Sequence, residues 1–133
     1  MKFKLEHVAL NVSDPVAVAA WYEKHMGLTI ERRIAAAHET HFLADSSGDV
    51  MLEIYNNPPD SVPDYKAMNP LLVHLGFVSD NAEKDKQWLL DAGATFVEEV
   101  NLPDGSLLIM MRDPWGLAIQ LCQRAKPMLS MQL

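Results

Sequence analysis

At 133 residues the chain has room for one domain built of two half-size modules, and its 18 acidic against 11 basic residues leave a net charge of −7. The basic residues are scattered, which excludes nucleic acid and anionic membrane as partners. A single cysteine, Cys122, excludes an intrachain disulfide. With no apolar signal core in MKFKLEHVAL and no unbroken apolar run near about 18 residues, a cytoplasmic location is expected.

Residues 3–12 alternate, with Val8, Leu10 and Val12 on one face and Leu5, His7, Ala9 and Asn11 on the other, as a half-buried strand should. The first set is the helix-facing side. Ser13 and Asp14 supply N-cap side chains, Pro15 suits the first helical turn, and an Ala-rich run to Met26 stops at Gly27. Strands are expected over residues 28–34, which turns outward with Glu31, Arg32 and Arg33, and over residues 40–44. Asp45, Ser46, Ser47, Gly48 and Asp49 make a hairpin turn by composition. A strand over residues 50–55 then places Val50, Leu52 and Ile54 on one face and Met51, Glu53 and Tyr55 on the other.

The stretch that follows, residues 56–70, contains Pro58, Pro59, Pro63 and Pro70, which rule out regular structure and keep it extended as a connector. The organisation read from this is module one over 1–56, a linker over 57–70, module two over 71–123 and a tail over 124–133. Module two repeats the order of module one. Residues 72–78 form a strand, and Ser79, Asp80 and Asn81 cap a helix whose apolar positions Trp88, Leu89 and Ala92 precede Gly93. Strands over 95–100 and 106–111 flank a turn at Pro103, Asp104 and Gly105. The run Asp113, Pro114, Trp115, Gly116 is a type I turn, and a last strand over 117–122 carries Ala118, Gln120 and Cys122 on the face opposite Leu117, Ile119 and Leu121. Each module is thus β-α-β-β-β, and the fold class is α+β.

The duplication shows in the residues themselves. His7, Trp21 and Glu53 recur 67 residues on as His74, Trp88 and Gln120, and LLVHLGFVSD restates EHVALNVSD. In each half a first-strand histidine is followed 46 residues later by a side-chain oxygen on the last strand. All four fall on faces opposite the helix, so two sheets curling toward each other would bring them to one point. Two imidazoles, a carboxylate and an amide oxygen suit a divalent metal such as zinc, nickel, cobalt, manganese or iron(II), with room for water or substrate. They are too nitrogen-rich for calcium and lack the thiolates of a structural zinc site. Taken singly, each has a plainer reading: a strand histidine is commonly a surface or satisfied core group, and Glu53 and Gln120 suit half-solvated strands. The shared offset is what argues for a site. His25 reads as a solvated helix-end residue. His38 and His41 flank the third strand, His41 being the one a cleft would admit, and Cys122 reads as a buried structural thiol. Met51, Met110 and Met111, with Tyr55 and Phe42, line an apolar pocket or pack in the core.

At these residues the chain resembles the vicinal oxygen chelate superfamily, which includes glyoxalase I, fosfomycin and bleomycin resistance proteins, methylmalonyl-CoA epimerase and extradiol dioxygenases. EHVALNVSDPVAVAAWYEKHMGL is similar to the family's opening strand and helix. VMLEIYNN with LLVHLGFVSDNAEK resembles the middle of small bacterial glyoxalase I proteins, and DPWGLAIQL resembles the DPDG…(I/V)E(L/F) ending, so the likeness spans residues 5–123. The resemblance implies two tandem βαβββ modules forming an open eight-stranded cup, with His7, Glu53, His74 and Gln120 as metal ligands. It also implies a metal that chelates two neighbouring oxygens of a small-molecule substrate and stabilises an enediolate, alkoxide or bound phosphonate. Two positions depart from the pattern: Gln120 replaces a glutamate, and DPWG replaces DPDG. Glutamine ligates through its oxygen but accepts no proton, which passes the general-base role to Glu53, and the less negative site should hold metal more weakly. Arg32, Arg33 and Arg112 are the cations available to a thiol cofactor. The implied protein is a glyoxalase-like lyase or isomerase and a homodimer, its cup built within one chain or from halves of two. The alternatives are a metal-free drug or metabolite binder of bleomycin-resistance type and an iron-dependent ring-cleaving dioxygenase using His7, His74 and Glu53.

Overall fold

The computed structural model describes residues 1–129, and the chain packs as two units, the first Met1–Pro63 and the second beginning at Asp64. In the first, β1 (His7–Asn11), α1 (Pro15–Met26), β2 (Thr29–Ile34), β3 (Thr40–Ala44) and β4 (Met51–Tyr55) form a sheet of order β1-β4-β3-β2, with β1 parallel to β4 and the other pairs antiparallel. In the second, β5 (Leu75–Val78), α2 (Ala82–Asp91), β6 (Thr95–Asn101), β7 (Leu107–Arg112) and β8 (Ala118–Gln123) give β5-β8-β7-β6 with the same directions. The class is α+β, two βαβββ units, as the hydrophobic periods require. The repeat extends to irregularities: the register slips between Ile30 and Arg32 in one sheet and between Phe96 and Glu98 in the other, a bulge kept at matching points. Residues 130–133 of the expected tail lie outside the described residues.

Local chemistry explains the helices. The Asp14 carboxylate accepts the Ala17 N–H at 3.2 Å, and Pro15 occupies the first turn, where its missing N–H costs nothing. Gly27 ends α1 in the left-handed region at φ 71°, a conformation that costs other residues about 1 kcal/mol or more. Asn81 caps α2 in the same way, accepting from the Lys84 N–H at 3.1 Å. The face that α1 lays on its sheet buries Val18, Ala19, Trp21 and Tyr22, against strands whose own buried residues are Leu10, Leu43 and Ile54. Each such aliphatic or aromatic side chain contributes about 2 kcal/mol of transfer free energy. In the second unit the core is Leu89 of α2 with Ile109, Met111, Ile119 and Leu121.

Several expectations change. β1 begins at His7 and not at residue 3, because its pairing starts at His7 against Met51; Phe3 and Leu5 are exposed although they continue the alternation. β5 likewise begins at Leu75, where pairing with Ile119 starts, after a turn in which the Leu72 N–H donates to the Asn69 carbonyl. Trp88 is 58% exposed: α2 buries Ala82 and Leu89, seven residues apart on one stripe, and Trp88 lies about 100° round from Leu89. The connector is not extended throughout. A short 3₁₀ turn, Tyr65–Ala67, sits between Pro63 and Pro70, capped by Asp64, and buries Tyr65. The Arg112 guanidinium fastens that turn, donating to the carbonyls of Tyr65 and Met68 at 2.8 Å each and of Gly116 at 2.9 Å.

Candidate functional site

Strand register decides which side chains share a face. Ala9 pairs with Glu53 and Gly76 with Gln120, so each histidine stands two residues before the partner of its own module's oxygen donor. In the first unit this brings the two groups into contact. Nε2 of His7 lies 3.0 Å from Oε2 of Glu53, and their side chains are 37% and 22% exposed. The other ring nitrogen, Nδ1, lies 2.9 Å from Oε1 of Glu6. Phe42, paired with Glu53 across β3 and β4, meets the imidazole edge-on with ring centroids 6.0 Å apart. Two ligands at right angles on an ion about 2.1 Å from each stand about 3 Å apart, so the His7–Glu53 spacing is one that a single cation accepts.

In the second unit His74 lies one residue before β5, not on it as expected, because the turn at Asn69–Leu72 delays the start of pairing. Its Nδ1 is 2.9 Å from the Pro70 carbonyl oxygen, which leaves Nε2 available. Gln120 stands mid-strand in β8, its Oε1 3.4 Å from the Cys122 thiol, whose proton is held more tightly than usual by burial. Both histidines therefore rest Nδ1 on an acceptor, the arrangement that orients metal-binding imidazoles. Each unit supplies one nitrogen and one oxygen donor, and no group of three His, Cys, Asp or Glu side chains able to hold a metal occurs among the described residues.

The first unit also carries a concavity of about 500 Å³, lined by Lys4, Glu6, Glu31, Ala44, Asp49 and Met51 and not by His7 or Glu53. A smaller one of about 250 Å³ shares Glu6, Glu31 and Met51 and reaches Arg32 and Phe42. Met51 and Phe42 were legible as lining. Glu6 was not singled out, although a carboxylate adjoining His7 was the available signal.

The remaining singled-out residues fall elsewhere. His41 is 3% exposed with Nδ1 2.6 Å from the Glu39 carbonyl oxygen, and alternation sets it on the face opposite Phe42, away from Glu53. His25 packs its ring 5.5 Å from that of Trp21, and His38 lies in the β2–β3 turn at φ 58°. Arg112 is not available to a cofactor, being committed to three carbonyls, and Arg33 lies 3.4 Å from Glu39. Among the described residues no helix is long and apolar enough to cross a membrane.

Comparison with known proteins agrees with this architecture. The chain is similar to a solved glyoxalase family protein from Bacillus cereus, at a TM-score of 0.76 and 16% identity over 92% of this chain and 94% of that one. An antibiotic-binding protein from Streptomyces sp. CB03234 superposes with a TM-score of 0.73 and 20% identity over 93% and 98%. A lactoylglutathione lyase from Agrobacterium tumefaciens gives 0.66 and 23% over 89% and 91%. At these identities the likeness is one of fold. No curated protein sequence matches the chain. The model of one sequence family spans residues 4–121, nearly the whole of both units. The chain belongs to the glyoxalase/bleomycin resistance protein/dioxygenase superfamily.

Proposed function

We propose that the protein is a glyoxalase-like, metal-dependent lyase or isomerase acting on a small-molecule carbonyl compound. The observation that carries this is the contact of His7 Nε2 with Glu53 Oε2 at 3.0 Å, in a chain where both duplicated histidines have Nδ1 anchored. His7 and Glu53 would supply two donors to a divalent ion, zinc, nickel, cobalt, manganese or iron(II), with His74 and Gln120 as the matched pair of the second unit. When bound, such an ion supplies Lewis-acid stabilisation of a developing oxyanion. Glu53 removes the proton α to the carbonyl and returns it to the neighbouring carbon; Gln120 cannot share that task because an amide oxygen is not a base at neutral pH. Phe42 excludes water from one side of the His7 ring and orients it by edge contact. A homodimer is the assembly that goes with this reading, and sedimentation of the purified protein tests it.

The experiment is to strip the protein of metal, reload it with each ion separately, and assay isomerisation of hemithioacetals and solvent deuterium exchange at the α carbon. Metal-dependent turnover that disappears in His7→Ala and Glu53→Gln is expected. A fully loaded protein inactive toward both substrate types overturns the proposal.

A second reading is favoured by the two concavities, which share Met51 and are otherwise lined on their apolar side by Ala44 in the larger and Phe42 in the smaller. It is that of a metal-free protein that sequesters an apolar drug or metabolite, in keeping with the fold shared with an antibiotic-binding protein. Stoichiometric metal in the purified protein, lost on His7→Ala, rejects it.

A further inference from the structure

We propose that Glu6 is a positioning residue that sets the tautomer of His7 and aims its Nε2 at the metal, an inference that rests on the metal-dependent reading above. Consecutive residues of a regular strand point to opposite faces, so a side chain rarely reaches the ring of its chain neighbour. Here it does, because β1 begins at His7. Glu6 is tied to the sheet through its carbonyl, which accepts the Met51 N–H at 2.8 Å, and its side chain turns to the imidazole.

A neutral imidazole carries one N–H, and a carboxylate can only accept. Two carboxylates flank this ring, Glu6 on Nδ1 at 2.9 Å and Glu53 on Nε2 at 3.0 Å, and they compete for the same proton. With the proton on Nδ1, Nε2 keeps its lone pair, and it faces the Glu53 oxygen as a second donor to a shared cation. With the proton on Nε2, the ring is bonded to Glu53 and both donors are blocked. Glu6 tips that balance toward the ligating form.

The second unit reaches the same arrangement by other means. The residue matched to Glu6 by the repeat is Val73, which cannot accept a proton, and Nδ1 of His74 is held by the Pro70 carbonyl at 2.9 Å. The same nitrogen is anchored in both copies by unrelated groups, as expected if the anchoring and not the particular partner is what the site needs.

The test uses the full chain, labelled with ¹⁵N and free of metal, at a pH high enough for the rings to be neutral. Long-range ¹⁵N–¹H correlations report which nitrogen of each histidine carries the proton, and calorimetry with Zn²⁺ or Ni²⁺ alone reports affinity. In the wild type both His7 and His74 should be protonated on Nδ1. Glu6→Ala should move the His7 proton to Nε2, leave His74 unchanged, and weaken metal binding about tenfold, the lower end of the range for a group that orients a ligand. Glu6→Gln, which keeps an acceptor oxygen, should restore the tautomer and most of the affinity. The Glu6 side chain is 73% exposed, so both variants should melt as the wild type does. An unchanged His7 tautomer in Glu6→Ala overturns the proposal, as does affinity within twofold of wild type where metal binds through His7. If His7→Ala binds metal as well as the wild type, the metal reading itself fails, and the tautomer in Glu6→Ala then decides the role of Glu6 alone.

Discussion

The two units share topology, register and even a bulge, yet their candidate donors are prepared differently. In the first, His7 is flanked by two carboxylates, Glu6 and Glu53, within 3.0 Å. In the second, His74 leans on a backbone carbonyl, and the Cys122 thiol lies 3.4 Å from the Gln120 oxygen. The first pair is anionic and the second neutral. The repeat keeps the positions of these side chains while their charge and supports diverge, so the carboxylates beside the histidine belong to module one. The scaffolds repeat one device at different depths: Oδ1 of half-buried Asp45 accepts the N–H groups of Ser47 and Gly48 at 3.0 and 3.2 Å, and Oδ1 of buried Asp113 accepts those of Trp115 and Leu117 at 2.9 and 3.0 Å.

The largest effect should come from making the two oxygen donors alike. Under the proposed activity, Glu53→Gln removes the base and should lower turnover about 10³-fold, whereas Gln120→Glu should leave turnover within about tenfold and tighten metal binding. Steady-state kinetics with calorimetry would show it, and an active Glu53→Gln variant would remove Glu53 from the role of base. Next are the matched tryptophans: Trp21 is 8% exposed and Trp88 58%. Urea unfolding should show a loss of about 4 kcal/mol for Trp21→Ala and under about 1 kcal/mol for Trp88→Ala, and equal losses would refute the assigned burial.

The turns should differ less. A Cβ at Gly116 would lie 2.6 Å from backbone atoms of Lys66 at φ 97°, so Gly116→Ala should cost about 3 kcal/mol. Gly48, at φ 72° with nothing within 4 Å, should lose only about 1 kcal/mol as alanine. The smallest effect is one of pH. A hydrogen bond from Glu83, with its charge, raises the Glu99 carboxyl above the usual range, whereas the positions 67 residues earlier in module one are Val16 and Arg32. A raised folded value means stability present at low pH and lost as pH rises through it. The melting temperature of Glu99→Gln relative to wild type should therefore climb as pH rises through and just above the ordinary carboxylate range, and a flat difference would contradict the pairing.

Much of this was legible because strand and helix periods are local. The caps Asp14 and Asn81, the stop at Gly27, and the alternation that sets Met51, Glu53 and Tyr55 apart from Leu52 and Ile54 follow from residues a few positions away. The offset of 67 paired His7 with His74 and Glu53 with Gln120, although His74 falls just before β5 while His7 opens β1. It could not tell Trp21 from Trp88, since burial depends on which stripe of a helix meets the sheet. Nor could it end β1 at His7 or β5 at Leu75, because a strand extends only as far as a neighbour pairs with it.

The sequence by itself determined the order of elements and the doubled βαβββ plan, because hydrophobic period and turn chemistry act over a few residues. Only the tertiary structure decided that His7 touches Glu53 and Glu6, that Arg112 is spent on three carbonyls and that Tyr65 is buried in a connector. Those contacts join residues brought together by sheet register and chain reversal, about which neighbouring residues carry no information.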